Sequence, residues 1–350
     1  MAKHVNEGLK DDDWPADDRV MFENLVAKGA VEDGPWCGLS TTTQRNRRYS
    51  YGHWLGFLAK EHPEALTLPP AARVTRQTVK QYVLAMRRNC TETTIGHELN
   101  RLYLTVVAAK PDEDWRWLSG LVARIRKRAI PLPKPYALSV DLYTLGLDLM
   151  KEARNQAALF ERVVLAQAEK FRDGLMIAML AEAPMRRDGF SKLCLNDNFV
   201  KIGGRWRIYL LPELVKTKMR ENFEISVELS SCVDEYVAIY RPAFPNANAH
   251  NGMWPYLDRP MTDKMVRRYV SKHTERRLGT AISPHGFRRG AASFIAKADP
   301  SNIRVAKDLL QHHTFSITEQ HYIHGANSRR AGQTLAQVIA KKAANQVGEG

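Results

Sequence analysis

Four stretches of this sequence hold residue types able to grip and break a phosphodiester. Ala183-Pro184-Met185-Arg186-Arg187-Asp188-Gly189-Phe190 sets an arginine pair just beyond an apolar helical run. Val215-Lys216-Thr217-Lys218-Met219-Arg220 puts lysines in a charged turn between two strand-like segments. Ser283-Pro284-His285-Gly286-Phe287-Arg288-Arg289-Gly290 opens an apolar helix. One helical turn there can aim His285 and Arg288 at a single anion, and a helix N-terminus itself favours negative charge. The last stretch is Leu309-Leu310-Gln311-His312-His313, followed by Tyr322 nine residues after His313.

Each stretch alone has a plainer reading: a solvated helix start, a turn kept basic for solubility, a chance HxxR, a buried tyrosine. Together they meet the needs of attack on a phosphodiester. Guanidiniums such as Arg186 and Arg288 present planar, always-charged forks to the non-bridging oxygens. Tyrosine, with a pKa of about 10, attacks only if its proton is removed or its phenolate is stabilised by positive charge. His285 is placed to act as base or acid.

The formal net charge of +14 fits a polyanionic partner. Residues 1–35 carry nine acids against four bases, so the rest of the chain is near +19. No apolar run of membrane-spanning length occurs, and the acidic start lacks the layout of a signal peptide, so a cytoplasmic protein is expected. Cys37, Cys90, Cys194 and Cys232 are scattered, with no CxxC pair and no metal-ligand spacing, and are read as reduced thiols.

The elements that must position these residues fall into two groups. After an acidic lead-in (1–35), four amphipathic helices are expected within 36–130, the first capped by Ser40 and carrying Tyr51, Trp54, Leu55 and Leu58 on its apolar face. Basic ends such as Arg45, Arg47 and Arg48, or Arg124 to Arg128, suit a small bundle that grips the DNA backbone. Pro131, Pro133 and Pro135 mark a linker at 131–138. From Ser139 to about Ala183 the pattern is helical again. Arg205–Leu211 and Phe223–Leu229 are expected as two strands, and everything after about Thr262 as helices, with Thr262, Ser283 and Ser301 as caps. The expected fold is mainly α with a small antiparallel β-sheet in the second domain, 139–350.

Taken together, the four stretches resemble the motifs of tyrosine recombinases of the phage-integrase family. Arg186, with Phe190 and Leu193 following at +4 and +7, is similar to the family's first arginine motif; His285 and Arg288 resemble the second. Thr318, Tyr322 and His324 fall on the threonine, tyrosine and histidine of the nucleophile motif. The resemblance spans about 40–345 and is strongest over 283–324. Two positions depart from it: His312 stands where a glycine is usual, and Gly189 where an acid is usual, with Asp188 next to it.

The resemblance implies a site-specific recombinase shaped as a two-domain C-shaped clamp on double-stranded DNA with an inverted-repeat core site. Tyr322 would be the nucleophile that forms a 3′-phosphotyrosine. Lys218, or its rival Lys216, would protonate the leaving 5′-oxygen, and His313 would donate a hydrogen bond to the phosphate. No metal or other cofactor is implied. Four protomers would assemble on two sites, with a helix over about 328–345 (Leu335, Val338, Ile339) docking on a neighbour, and accessory proteins are possible partners. Two alternatives remain open at this level: a DNA-relaxing type IB topoisomerase, and a DNA-binding accessory protein with the fold and little activity.

Overall fold

The computed structural model describes residues 8–130, 135–159, 163–212 and 221–298. Two compact units divide the chain, Met1–Pro133 and Lys134–Gly350.

The first unit is helical. Its elements are α1 (Ala16–Val26), α2 (Thr41–Glu61), α3 (Arg76–Arg87), α4 (Glu92–Ala109) and α5 (Arg116–Arg128). Ser40, Thr75 and Thr91 cap α2, α3 and α4 by accepting hydrogen bonds from Thr43, Thr78 and Thr94 N–H groups, which satisfies donors that a helix start leaves without partners. The apolar faces of α2 to α5 meet in a core around Trp54, Leu58, Val79, Ile95, Leu99 and Leu118.

The acidic lead-in is not separate from this unit. Trp14, Phe22 and Leu25 are buried in the same core. Asp18, fully buried, accepts from Arg73 at 2.6 Å and from the Tyr51 hydroxyl at 2.7 Å. Arg73 also donates to the Leu66 and Leu68 carbonyls, so the buried charges are hydrogen-bonded on all sides. Burial, and then the Asp18 charge, push the Tyr51 phenol well above its ordinary pKa, so it stays a neutral donor. Asp18→Ala leaves Arg73 buried without its counter-charge and should cost about 3–5 kcal/mol. Urea denaturation of the full chain, followed through the first unit's tryptophans, checks this. Asp18→Ala/Arg73→Met should regain part of the loss, because no unpaired charge is left inside.

The second unit is built on α6 (Ser139–Leu159) and α7 (Leu165–Glu182). Every residue of α7 from Phe171 to Ala181 is buried, the paired Arg172 and Asp173 included, as expected of a central helix. The two helices touch backbone to backbone: a Cβ at Gly146 would lie 2.7 Å from Ala178 N, and one at Gly174 would lie 2.7 Å from the Gly146 carbonyl. Next come the short α8 (Arg187–Ser191) and an antiparallel sheet in the order β1 (Phe199–Ile202), β2 (Arg205–Leu210), β3 (Glu221–Glu224). Along β2, Trp206, Ile208 and Leu210 face the core in strict alternation. Then follow α9 (Val227–Glu235) running into a π-helical turn at Tyr236–Tyr240, the hairpin β4 (Pro255–Tyr256) and β5 (Arg259–Pro260), α10 (Asp263–Leu278) and α11 (Pro284–Ala298).

Two differences from the sequence reading concern the sheet. A third strand, β1, joins β2 through Gly203 and Gly204, both at positive φ, the conformation a two-residue hairpin turn demands. The strand expected over Phe223–Leu229 stops at Glu224. Ser226 caps α9 instead, its Oγ accepting from Leu229 N–H, while Glu182 accepts from both the Ser226 N–H and its hydroxyl.

Candidate active site

Arg186 is the residue that caps α8, in extended conformation, just past the end of α7. The backbone around it is pinned from both sides. Met185, Phe190 and Leu193 are fully buried, Phe190 stacks on Trp254 at 5.0 Å, and the Trp254 indole N–H donates to the Phe190 carbonyl at 2.9 Å.

Proline starts α11 at a position where a missing N–H loses nothing. His285 and Arg288 lie one turn apart on this helix, with Phe287 between them buried in the core. The glycines of this motif make room for the chain that crosses it. A Cβ at Gly286 would sit 3.0 Å from the Pro135 carbonyl and 2.7 Å from Ile282, and one at Gly290 would sit 2.1 Å from the Ala137 carbonyl.

The two motifs meet. The Arg288 guanidinium, itself buried, donates to the Pro184 carbonyl at 2.5 Å, tying α11 to the segment that carries Arg186. Arg186, His285 and Arg288 line one cleft of about 560 Å³, together with Arg187, Arg267 and Arg289. Arginines held this way form a preorganised positive pocket, suited to stabilising charge on a phosphoryl group with little rearrangement.

The neighbouring residues have other ties. Arg187 pairs with Asp263 at 2.5 Å, and Arg289 donates to the Pro135 carbonyl at 3.3 Å. Asp188, beside the departing Gly189, pairs with Lys192 at 2.8 Å. Arg267, on α10, is a cleft residue that belongs to none of the four stretches. Its signal was the run Lys264-Met265-Val266-Arg267-Arg268, where Val266 turns to the core and the bases on either side turn away.

Tyr269 is a poor substitute nucleophile. It packs against the core beside Tyr256 and Arg172, and burial, then a hydrogen bond with Tyr256, raise its pKa. Lys216, Lys218, His313, Tyr322 and the expected docking helix lie outside the described residues. β2 and β3, whose ends Leu210 and Glu221 are register partners, flank the segment that carries both lysines. Among the described residues no group of three or more potential metal ligands occurs, and no helix is long and apolar enough to cross a membrane.

A mainly helical chain with a small antiparallel sheet and a cleft of this make-up has the architecture of the tyrosine recombinases. The family model described as "Phage integrase family" matches residues 149–329, and the chain belongs to that family of site-specific DNA recombinases. In structure it is similar to the XerH site-specific recombinase in a crystal structure of a pre-cleavage complex bound to difH substrate. That match has a TM-score of 0.55 at 12% sequence identity and covers 92% of this chain and 90% of that one. No curated protein matches the sequence.

Proposed function

We propose that this recombinase cuts and rejoins double-stranded DNA through Tyr322, with Arg186 and Arg288 holding the scissile phosphate. The phenol oxygen of Tyr322 bonds to phosphorus, its proton passes to His285, and the bond from phosphorus to the 5′-oxygen breaks. Lys218 gives that oxygen a proton, so a 3′-phosphotyrosine and a free 5′-hydroxyl result. His313 donates a further hydrogen bond to the phosphate. Rejoining reverses the steps with a 5′-hydroxyl from a partner strand. The phosphotyrosine keeps the energy of the original bond, so ATP is not required.

The observation that carries this reading is the meeting of Arg186 with His285 and Arg288, from distant parts of the chain, in one cleft fixed by the Arg288 to Pro184 hydrogen bond. The DNA-bound state of the similar XerH structure supports double-stranded DNA as the partner. The proposed substrate carries inverted repeats, bound by four protomers on two sites in the cytoplasm, with the segment over about 328–345 docking on a neighbour.

Duplexes recovered from a random-sequence pool by binding to the protein provide the substrate for a test. The protein should form recombinant joints on them in EDTA and without ATP; relaxed plasmid with no joints would overturn the reading. The same duplexes test the general acid. A 5′-bridging sulfur leaves as a thiolate and needs no proton. Lys218→Ala should therefore cleave ordinary DNA poorly and recover on the 5′-bridging phosphorothioate, while Lys216→Ala should be mildly impaired on both. Rescue of the Lys216 variant alone would move the acid along the hairpin, and rescue of neither would give the role to another group.

A further inference from the structure

α10 carries Lys264, Arg267, Arg268 and Ser271 at the i, i+3, i+4, i+7 spacing of one helical stripe. All four line a second concavity of about 640 Å³, whose other walls include Arg187 and Arg289 and no carboxylate. This concavity continues the cleft described above: Arg187, Arg267, Ser283 and Arg289 line both.

The stripe is unusual in its pairing. Arg187 is matched by Asp263, and Arg277 at the far end of α10 by Glu152. The side chains of Lys264, Arg267 and Arg268 form no ion pair or hydrogen bond among the described residues. Like charges at helical i+3 and i+4 positions repel one another. A cluster of this kind on a groove is stabilised by an anion lying along it, and a nucleic acid backbone supplies anions at regular spacing.

We propose that Lys264, Arg267 and Arg268 hold the backbone phosphate next to the one that is cut, and that Arg267, shared by the two concavities, is the positioning residue that fixes the strand's register in the cleft. The inference rests on the first cleft being the seat of the scissile phosphate. Arg267 reaches the reaction only by placing the neighbouring phosphate, which in turn places the scissile one between Arg186 and Arg288.

The test replaces one phosphate at a time, on either side of the cleavage point, with an uncharged methylphosphonate. Single-turnover formation of the protein–DNA adduct is then measured for the parent and for Arg267→Gln. In the parent, neutralising one particular flanking phosphate should slow adduct formation about tenfold, the worth of one charge-assisted contact. Arg267→Gln should show a similar loss on all-phosphate DNA and no further loss when that phosphate is neutral. Arg267→Lys should recover most of the rate, and the salt slope of binding for Arg267→Gln should be shallower by about 1. An Arg267→Gln protein that cleaves like the parent, or whose defect multiplies with every methylphosphonate position, overturns the proposal. Adduct formation by the parent on all-phosphate DNA, measured in the same series, reports separately on the catalytic reading.

Discussion

Arg288→Ala is expected to slow strand cleavage by at least about 100-fold, and Arg186→Ala by a similar factor. Both side chains reach the cleft from fixed backbone: Arg186 between buried Met185 and Phe190, and Arg288 from the first turns of α11. Charge builds on the phosphoryl oxygens in the transition state, so the loss belongs in the cleavage rate and far less in DNA affinity. Alanine at 288 also removes the donor to the Pro184 carbonyl, which couples the two motifs. Arg288→Lys separates these effects, because it keeps a charge and loses the planar fork. It should retain binding and remain well below the parent in rate. Arg187→Ala and Arg289→Ala should cost much less, since Arg187 is engaged by Asp263 and Arg289 by the Pro135 carbonyl. Neighbours more damaging than Arg186 and Arg288 in single-turnover cleavage would shift the assignment by one residue.

Tyr322→Phe should abolish the covalent adduct altogether and leave specific DNA binding nearly unchanged. Only one oxygen is removed, and the cationic surface responsible for affinity is untouched. Gel-shift titration with the parent and the variant, alongside denaturing gels for the adduct, checks both halves. An adduct formed by the Phe variant would place the nucleophile elsewhere. Tyr269 is not a ready replacement, as its ring is packed beside Tyr256 and Arg172 and its pKa is raised.

Local signals were enough for much of this architecture. Ser40 and Thr262 cap helices where their types and the following apolar periodicity indicate. The His285 and Arg288 pair is legible because it depends on a single helical turn. What the sequence hid depends on contacts between distant residues. Residues 1–35 look like a polar lead-in because of their acids, yet Asp18 is balanced by Arg73, and Phe22 completes a core made mostly by α2 to α5. Ile225 to Leu229 alternate like a strand, but Glu182, from the end of α7, fixes Ser226 as a helix cap. β1 was announced only by Gly203-Gly204, a turn signal within an otherwise unremarkable polar stretch. Arg267 belongs to no motif. Its place in the cleft follows from the way α10 packs against α7 and α8.

The joining of Tyr322 to DNA can be read directly. A duplex nicked close to the cleavage point loses the short strand that would otherwise religate, so the covalent intermediate accumulates. Protease digestion of the purified adduct, nuclease trimming and peptide sequencing by mass spectrometry then identify the attached residue. A single nucleotide-bearing peptide that spans 315–329 and is modified on Tyr322 is the expected result; a DNA-linked peptide from any other part of the chain, or no linked peptide from a protein that still yields recombinant joints, would contradict it.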